Sequence, residues 1–169
     1  QLVDGPIKRI VIKYNGEVSN LEVKPITNAI LKGLFNHSID GINMVNAPFI
    51  AKERGIEVQE STSNEVHEYT STVQLQITSE KEARTVTGSI FGKGDSRIVQ
   101  FDEYSLEAVI SKNMLVLNNM DVPGVIGNLG NILGKHDLNI AGFHLGRVED
   151  GGKAVAIINI DSPPTTEAL

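Results

Sequence analysis

A strand, a tight turn and a helix start follow one another closely in the last third of the sequence, and together they offer chemistry for a small anion. Apolar residues 114–117 predict a strand, residues 121–124 break it, and residues 125–133 repeat apolar side chains at helical spacing. Pro123 presets a backbone angle that a first helical turn accepts, and glycines such as Gly127 leave early helical N–H groups uncovered. Those groups and the positive end of the helix dipole suit a carboxylate.

Two polar side chains flank this turn and helix. Asp121 lies just before the turn and can accept a hydrogen bond from an ammonium group, while the amide of Asn139, after the helix, can both donate and accept. The pair matches the two charged ends of a free amino acid. Both residues also have ordinary structural uses, because an aspartate can cap a helix and an asparagine can satisfy a turn, and taken alone they favour those uses.

Three short motifs occur here in order, Asp121-x-Pro-Gly-x-Ile-Gly, Leu138-Asn-Ile-Ala and Leu145-Gly-Arg, with Gly151 and Gly152 behind them. The series resembles the ACT domain at the C-terminal end of the D-3-phosphoglycerate dehydrogenases. In that family the domain binds L-serine as a feedback inhibitor.

The resemblance implies an L-serine effector site. Asp121 and Asn139 fall at positions that hold the effector in the family. The residues that this implies for the site are Asn119, Asp121, Val122, Pro123, Gly124, Asn139 and Ile140.

The first two thirds of the chain carry a second ordered series of segments. They are Tyr-Asn-Gly at 14–16, Ala-Ile-Leu-Lys-Gly-Leu at 29–34, the run from Asn to Ile at 43–56, Gly-Ser-Ile-Phe-Gly at 88–92 and Arg-Ile-Val at 97–99. The series resembles the intervening, allosteric substrate-binding domain that precedes the ACT domain in the long form of the same dehydrogenase. A similar pair of domains occurs in iron–sulfur L-serine dehydratases, and a free-standing amino-acid-binding module is a further alternative.

Basic residues in the first part of the chain suggest an anion site. Lys93 and Arg97 flank a Gly-Asp turn, and the resemblance places Arg97 where relatives have a basic residue implicated in binding phosphate or a substrate analogue. Lys52 and Arg54 instead lie at the C-terminal end of a predicted helix, where the helix dipole alone favours cations.

Composition limits the possible functions. The chain has 169 residues, a formal net charge of −6 and no cysteine. The charge argues against nucleic-acid or anionic-membrane partners, and the lack of cysteine excludes disulfides and a cysteine-held cluster within this chain. No apolar run is long enough to span a bilayer, so we expect a cytoplasmic protein. The four histidines, which lack metal-ligand spacing, are His37, His67, His136 and His144.

The pattern of elements predicts an α+β protein of two small domains. Residues 1–111 form the mixed α/β intervening domain, and residues 112–169 form a ferredoxin-like βαββαβ ACT domain that stops at the start of its second helix. A helix is predicted around residues 26–34, with Gly33 in its buried stripe, and a strand from Ile7 is predicted to turn at Asn15-Gly16.

No residue set in the chain suggests a complete active site. The glycines from Gly124 to Gly130 do not form a dinucleotide-binding fingerprint, and we predict no catalytic residue, metal or cofactor in this chain. The sequence starts with Gln1 and not Met, which fits an excised fragment. The resemblance implies that the chain is the homo-oligomeric regulatory region of a phosphoglycerate dehydrogenase, an oxidoreductase whose missing catalytic domains would bind NAD.

Overall fold

The computed structural model describes residues 2–66, 68–165 and 167, and it confirms an α+β fold. The chain forms two compact units, Gln1–Ser89 and Ile90–Leu169. The division into domains at residue 111 remains a prediction. In the described part of the chain, no helix is long and apolar enough to cross a membrane.

The first unit contains one short 3-10 helix, two α-helices and four strands. They are β1 (Ile7–Gly16), the 3-10 helix (Glu17–Asn20), α1 (Lys24–Phe35), α2 (Ala47–Glu53), β2 (Glu57–Ser63), β3 (Ser71–Ser79) and β4 (Ala83–Phe91). β1 and β2 are parallel, so the chain crosses between them through α1 and α2, whereas β3 pairs antiparallel with both β1 and β4. Helix α1 confirms the helix predicted around residues 26–34, and α2 confirms the helix predicted at Lys52 and Arg54.

The core of this unit lies between β1 and the two helices. Ile10, Ile12 and Tyr14 are fully buried and pack with Leu31 and Phe35 of α1. This alternation of buried residues along β1 is the period-two pattern of a strand with one face in the core. The sheet therefore buries the face that the helices cover.

Two details of the sequence prediction are wrong. Gly33 is exposed, with nothing within 4 Å of a Cβ placed there, so it does not lie in the buried stripe of α1. The buried stripe instead contains Thr27, whose hydroxyl is bonded to Tyr14 Oη at 2.7 Å and can therefore enter the core. The first strand also continues through Gly16 before the chain turns into the 3-10 helix.

The second unit contains β5 (Asp95–Phe101), β6 (Tyr104–Val109), β7 (Met114–Met120), α3 (Val125–Lys135), β8 (Ile140–Arg147) and β9 (Lys153–Ile160). β5 and β6 pair antiparallel. The last three strands form a separate antiparallel sheet in the order β7-β9-β8. Residues 161–165 form neither helix nor strand, and the rest of the predicted second helix lies partly outside the described residues.

The central strand of this three-stranded sheet is buried from Ala154 to Ile160. Ala156, Ile158 and Ile160 pack on one face with Leu133 of α3. The other face carries Asn159, whose side-chain amide donates to the Val109 carbonyl at the end of β6 at 3.0 Å. The three-stranded sheet is therefore covered on one face by α3 and meets β6 on the other.

Candidate functional site

The predicted effector residue Asp121 lies where β7, α3 and the β8–β9 hairpin meet. The register places Asn119, Ala154 and Arg147 in one row across the sheet, so the ends of β7 and β8 are neighbours of the start of β9. The Asp121 N–H donates to the Gly152 carbonyl at 2.8 Å, which fixes the turn against the hairpin. The Asp121 carboxylate is thereby held at one end of the sheet.

Arg147 binds this carboxylate directly. Its Nη1 donates to Asp121 Oδ2 at 2.6 Å, and its Nη2 lies 3.0 Å from Asp150 Oδ1. The hydrogen bond from Arg147 to Asp121, followed by the charge of Asp150, raises the pKa of the Arg147 guanidinium. Asp121 therefore forms an ion pair and does not cap α3, which has no side-chain cap.

The start of α3 leaves backbone donors available, as predicted. Gly124 is the N-cap residue in a left-handed conformation, with φ of 94°, and the first i to i−4 hydrogen bond runs from Asn128 N–H to its carbonyl at 2.9 Å. The N–H groups of Ile126 and Gly127 therefore have no partner within the helix. A Cβ at Gly127 would meet nothing within 4 Å, so this helix end is open to a ligand.

Asn139 forms the other half of the predicted site. Its Nδ2 donates to Asp161 Oδ2 at 2.7 Å, and the Asp161 N–H donates back to the Asn139 carbonyl at 3.2 Å. Both side chains are exposed. The side-chain amide thus already has a carboxylate as its hydrogen-bond acceptor.

A single copy of the chain does not bring Asp121 and Asn139 together. Asp121 follows Met120, which pairs with the first residue of β9, whereas Asn139 precedes Ile140, which pairs with the last residue of β9. The two residues therefore lie at opposite ends of an eight-residue strand. That length corresponds to a separation of roughly 20 Å.

The remaining predicted effector residues have varied surroundings. Asn119 is half-buried and its Nδ2 donates to the Met120 carbonyl at 2.9 Å. Val122 and Pro123 are exposed beside Asp121. Ile140 instead packs against the core under α3, so its side chain supports the strand.

The predicted anion residue Arg97 is already engaged by two carboxylates. Its Nη2 and Nε donate to Asp95 Oδ2 at 2.7 and 3.0 Å, and its Nη1 donates to Glu107 Oε2 at 2.9 Å. The guanidinium also lies over the Phe91 ring, 4.8 Å from its centroid. Asp95 and then Glu107 raise the Arg97 pKa, while partial desolvation opposes them. Lys93 is exposed in the turn before β5.

The described residues contain no group of three or more histidine, aspartate or glutamate side chains that could hold a metal ion. His144 lies half-buried on β8, and His67 lies outside the described residues.

Comparison with known proteins identifies the family. The family described as D-3-phosphoglycerate dehydrogenase intervening domain matches residues 1–102. The chain belongs to this family. Three D-3-phosphoglycerate dehydrogenases, from Bacillus subtilis, Archaeoglobus fulgidus and Methanocaldococcus jannaschii, are each 33% identical to it, over 95%, 98% and 100% of the chain. The matched regions make up 31%, 32% and 32% of those proteins, so the chain spans about a third of their length.

The resemblance to phosphoglycerate dehydrogenases does not predict which side chains contact Asp121 and Asn139, the two candidate effector-binding residues. Arg147 ends the Leu-Gly-Arg motif but had no predicted role, and Asp161 was not singled out. The available signal was the strand order, because a sheet with β9 in the middle puts the end of β8 beside the end of β7 and the end of β9 beside the start of β8.

Proposed function

We propose that the chain is the regulatory region of a D-3-phosphoglycerate dehydrogenase of serine biosynthesis and that it binds L-serine as an allosteric effector. Family membership and the full-length coverage by dehydrogenase relatives support the first part. The carboxylate of Asp121 and the open amides at the start of α3 support the second, because together they suit an ammonium and a carboxylate.

The single observation that carries the proposal is the placement of Asp121 and Asn139 at opposite ends of β9. Two residues that far apart cannot hold one serine within a single copy. They can do so when two copies meet around a two-fold axis, because each site then takes Asp121 from one copy and Asn139 from the other. L-serine would therefore bind between two copies.

Exposed apolar side chains beside both half-sites support such an interface. Met120, Val122 and Ile126 are each about half exposed around Asp121, and Ile132 of α3 is 49% exposed. Apolar surface of this kind gains from being covered by a second protein surface. A serine that joins two copies would then favour one arrangement of subunits and so change the activity of distant NAD-binding catalytic domains.

Calorimetric titration with L-serine tests the site. Asp121→Ala removes the ammonium contact and Asn139→Ala removes an amide that donates to the ligand carboxylate or hydroxyl. Loss of one such hydrogen bond costs about 1 to 3 kcal/mol, or roughly 5- to 150-fold in affinity. D-serine and L-phenylalanine serve as control ligands and should bind more weakly than L-serine.

A mixing experiment tests the placement of the site between copies. Co-refolding equal amounts of the Asp121→Ala and Asn139→Ala chains gives hybrids in which one of two sites has both residues intact. With random pairing, about a quarter of all sites should regain wild-type affinity. If both residues belonged to one site within a copy, mixing would restore none. Absence of any L-serine binding by the folded wild type would contradict the effector assignment itself.

We also propose that Arg97, with Lys93 near it, is a weak site for phosphate or a phosphorylated hydroxy acid. A guanidinium can hold two oxygens of an anion at once, but here the two carboxylates of Asp95 and Glu107 occupy it and compete with an anionic ligand. Glu107→Gln should therefore strengthen phosphate binding. Phosphate titration that moves no amide signals of residues 92–98, in either protein, would rule the site out.

The alternatives are the regulatory part of an iron–sulfur L-serine dehydratase and a free-standing amino-acid-binding module. The dehydrogenase relatives favour neither, because their similarity extends over both units of the chain. NADH formation from 3-phosphoglycerate by the protein that carries this region would identify the dehydrogenase and exclude both alternatives.

A further inference from the structure

Each half of the proposed effector site is occupied by an internal group with the charge of one end of an amino acid. Nη1 of the Arg147 guanidinium lies 2.6 Å from Asp121 Oδ2, at the carboxylate where a ligand ammonium would bind. Oδ2 of the Asp161 carboxylate accepts a hydrogen bond from Asn139 Nδ2 at 2.7 Å, at the amide where a ligand carboxylate would bind. The two internal partners are thus a cation and an anion in the order that a zwitterion would present them.

We propose that Arg147 and Asp161 are internal substitutes for the effector, which occupy the two half-sites in the absence of ligand and are displaced when it binds. The inference rests on the proposed function, since it concerns the same site. It assigns to both residues a role in setting effector affinity that does not require them to touch the ligand.

The exposure of these pairs makes displacement possible at low cost. The Arg147 side chain is 50% exposed and that of Asp121 is 20% exposed. An ion pair or a charge-assisted hydrogen bond this accessible to water is weak, so each internal partner should lower the affinity for the effector by roughly 1.5- to 5-fold. The contacts are strong enough to matter for binding and too weak to exclude the ligand.

The structure also shows where Arg147 can go. Its second carboxylate partner, Asp150, is 90% exposed and contacts the other guanidinium nitrogen at 3.0 Å. The backbone would stay in place, because the Asp121 N–H bond to Gly152 and the Asp161 N–H bond to Asn139 do not involve the displaced side chains. Displacement is therefore a rotamer change of two surface side chains.

Three variants test the inference by calorimetric titration with L-serine. Arg147→Met removes the guanidinium and keeps the aliphatic stem, and Asp161→Ala removes the carboxylate and keeps the backbone bonds. Each should bind L-serine roughly 1.5- to 5-fold more tightly than the wild type. Asp150→Asn is the matched control, because it removes an aspartate that contacts Arg147 but not the effector, and it should not tighten binding.

N-acetyl-L-serine, which has a carboxylate and no ammonium, shows which end of the ligand each internal partner replaces. Asp161→Ala should improve its binding, whereas Arg147→Met should not. An equal gain from Arg147→Met for both ligands would contradict the assignment of Arg147 to the ammonium half.

The outcomes separate this inference from the proposed function. If the wild type binds L-serine and both variants bind it equally or less tightly, the internal partners do not compete and the inference is wrong while the effector site stands. If neither the wild type nor any variant binds L-serine, although thermal unfolding shows all of them folded, both are wrong.

Discussion

Gly146 of β8 lies against Tyr104 of β6 so closely that a Cβ at Gly146 would be 2.9 Å from Tyr104 Cβ and 3.1 Å from the Ser105 carbonyl oxygen. Because one of these neighbours is backbone, Gly146→Ala must shift β6 away from the sheet. We predict a loss of about 1 to 3 kcal/mol in the free energy of unfolding, measured by chemical denaturation. Gly134→Ala in α3, where a Cβ would meet nothing within 4 Å, is the control and should not be destabilising.

The turn that carries the predicted effector residues requires a glycine at position 124, whereas α3 tolerates alanine at position 127. Gly124→Ala should destabilise the protein by roughly 1 to 2 kcal/mol, because its φ of 94° is unfavourable for a residue with a Cβ. Gly127→Ala, three residues on in α3 and equally open, should stabilise it by up to about 1 kcal/mol. Equal effects of the two substitutions on the denaturation midpoint would contradict this account.

The buried hydroxyl of Tyr14 makes stability fall at alkaline pH. The Thr27 hydroxyl donates its hydrogen bond to Glu60, so its oxygen accepts a hydrogen bond from Tyr14 Oη at 2.7 Å. Burial raises the pKa of Tyr14 above its ordinary value of 10.0, and the charge of Glu60 adds to this rise. The folded state therefore holds the proton more tightly, and its contribution is complete below about pH 10 and lost as the pH rises further.

Tyr14→Phe tests this assignment. The variant should lose about 0.5 to 1.5 kcal/mol at neutral pH, because the hydrogen bond to Thr27 is gone, and its stability should decline less steeply above about pH 10. Some decline should remain, since burial also raises the pKa of Tyr104. Denaturation curves at several pH values that fall in parallel for both proteins would show that Tyr14 does not titrate in this way.

Self-association is the fourth expectation. The outer strands of the described three-stranded sheet, β7 and β8, and the exposed Val122 offer surface for a second copy. Sedimentation should show a species of at least twice the 18.3 kDa chain mass. Val122→Lys should weaken it, whereas Leu21→Lys, at an even more exposed apolar site in the first unit, should not. A single species of monomer mass at high concentration would argue against the interface.

Most of the elements could be predicted from sequence because their apolar periodicities are strong. Helix α3 and the hairpin of β8 and β9 follow directly from spacing and from the glycines between them. The buried face of α1 was misassigned, because hydrophobicity alone cannot show that a hydroxyl such as that of Thr27 finds Tyr14 thirteen residues earlier and enters the core.

For the candidate site, the sequence proposes a set of residues but cannot give their geometry. Asp121 and Arg147 are 26 positions apart, and Asn139 and Asp161 are 22 apart. Only the order of strands decides which of these residues meet. The same strand order separates Asp121 from Asn139, which sequence spacing around one helix would place near each other.

The burial of β9 on both faces has a mechanical consequence. Ile158 contacts the core under α3, while its neighbour Asn159 bonds to the end of β6, so a single peptide step joins the two sides of the sheet. Both faces of such a strand are closely packed, so neither face can accommodate a change in packing without a shift of the strand. A movement of α3 must therefore displace β6 through the backbone of β9. The amide protons of β9 should also be among the slowest in the protein to exchange with solvent.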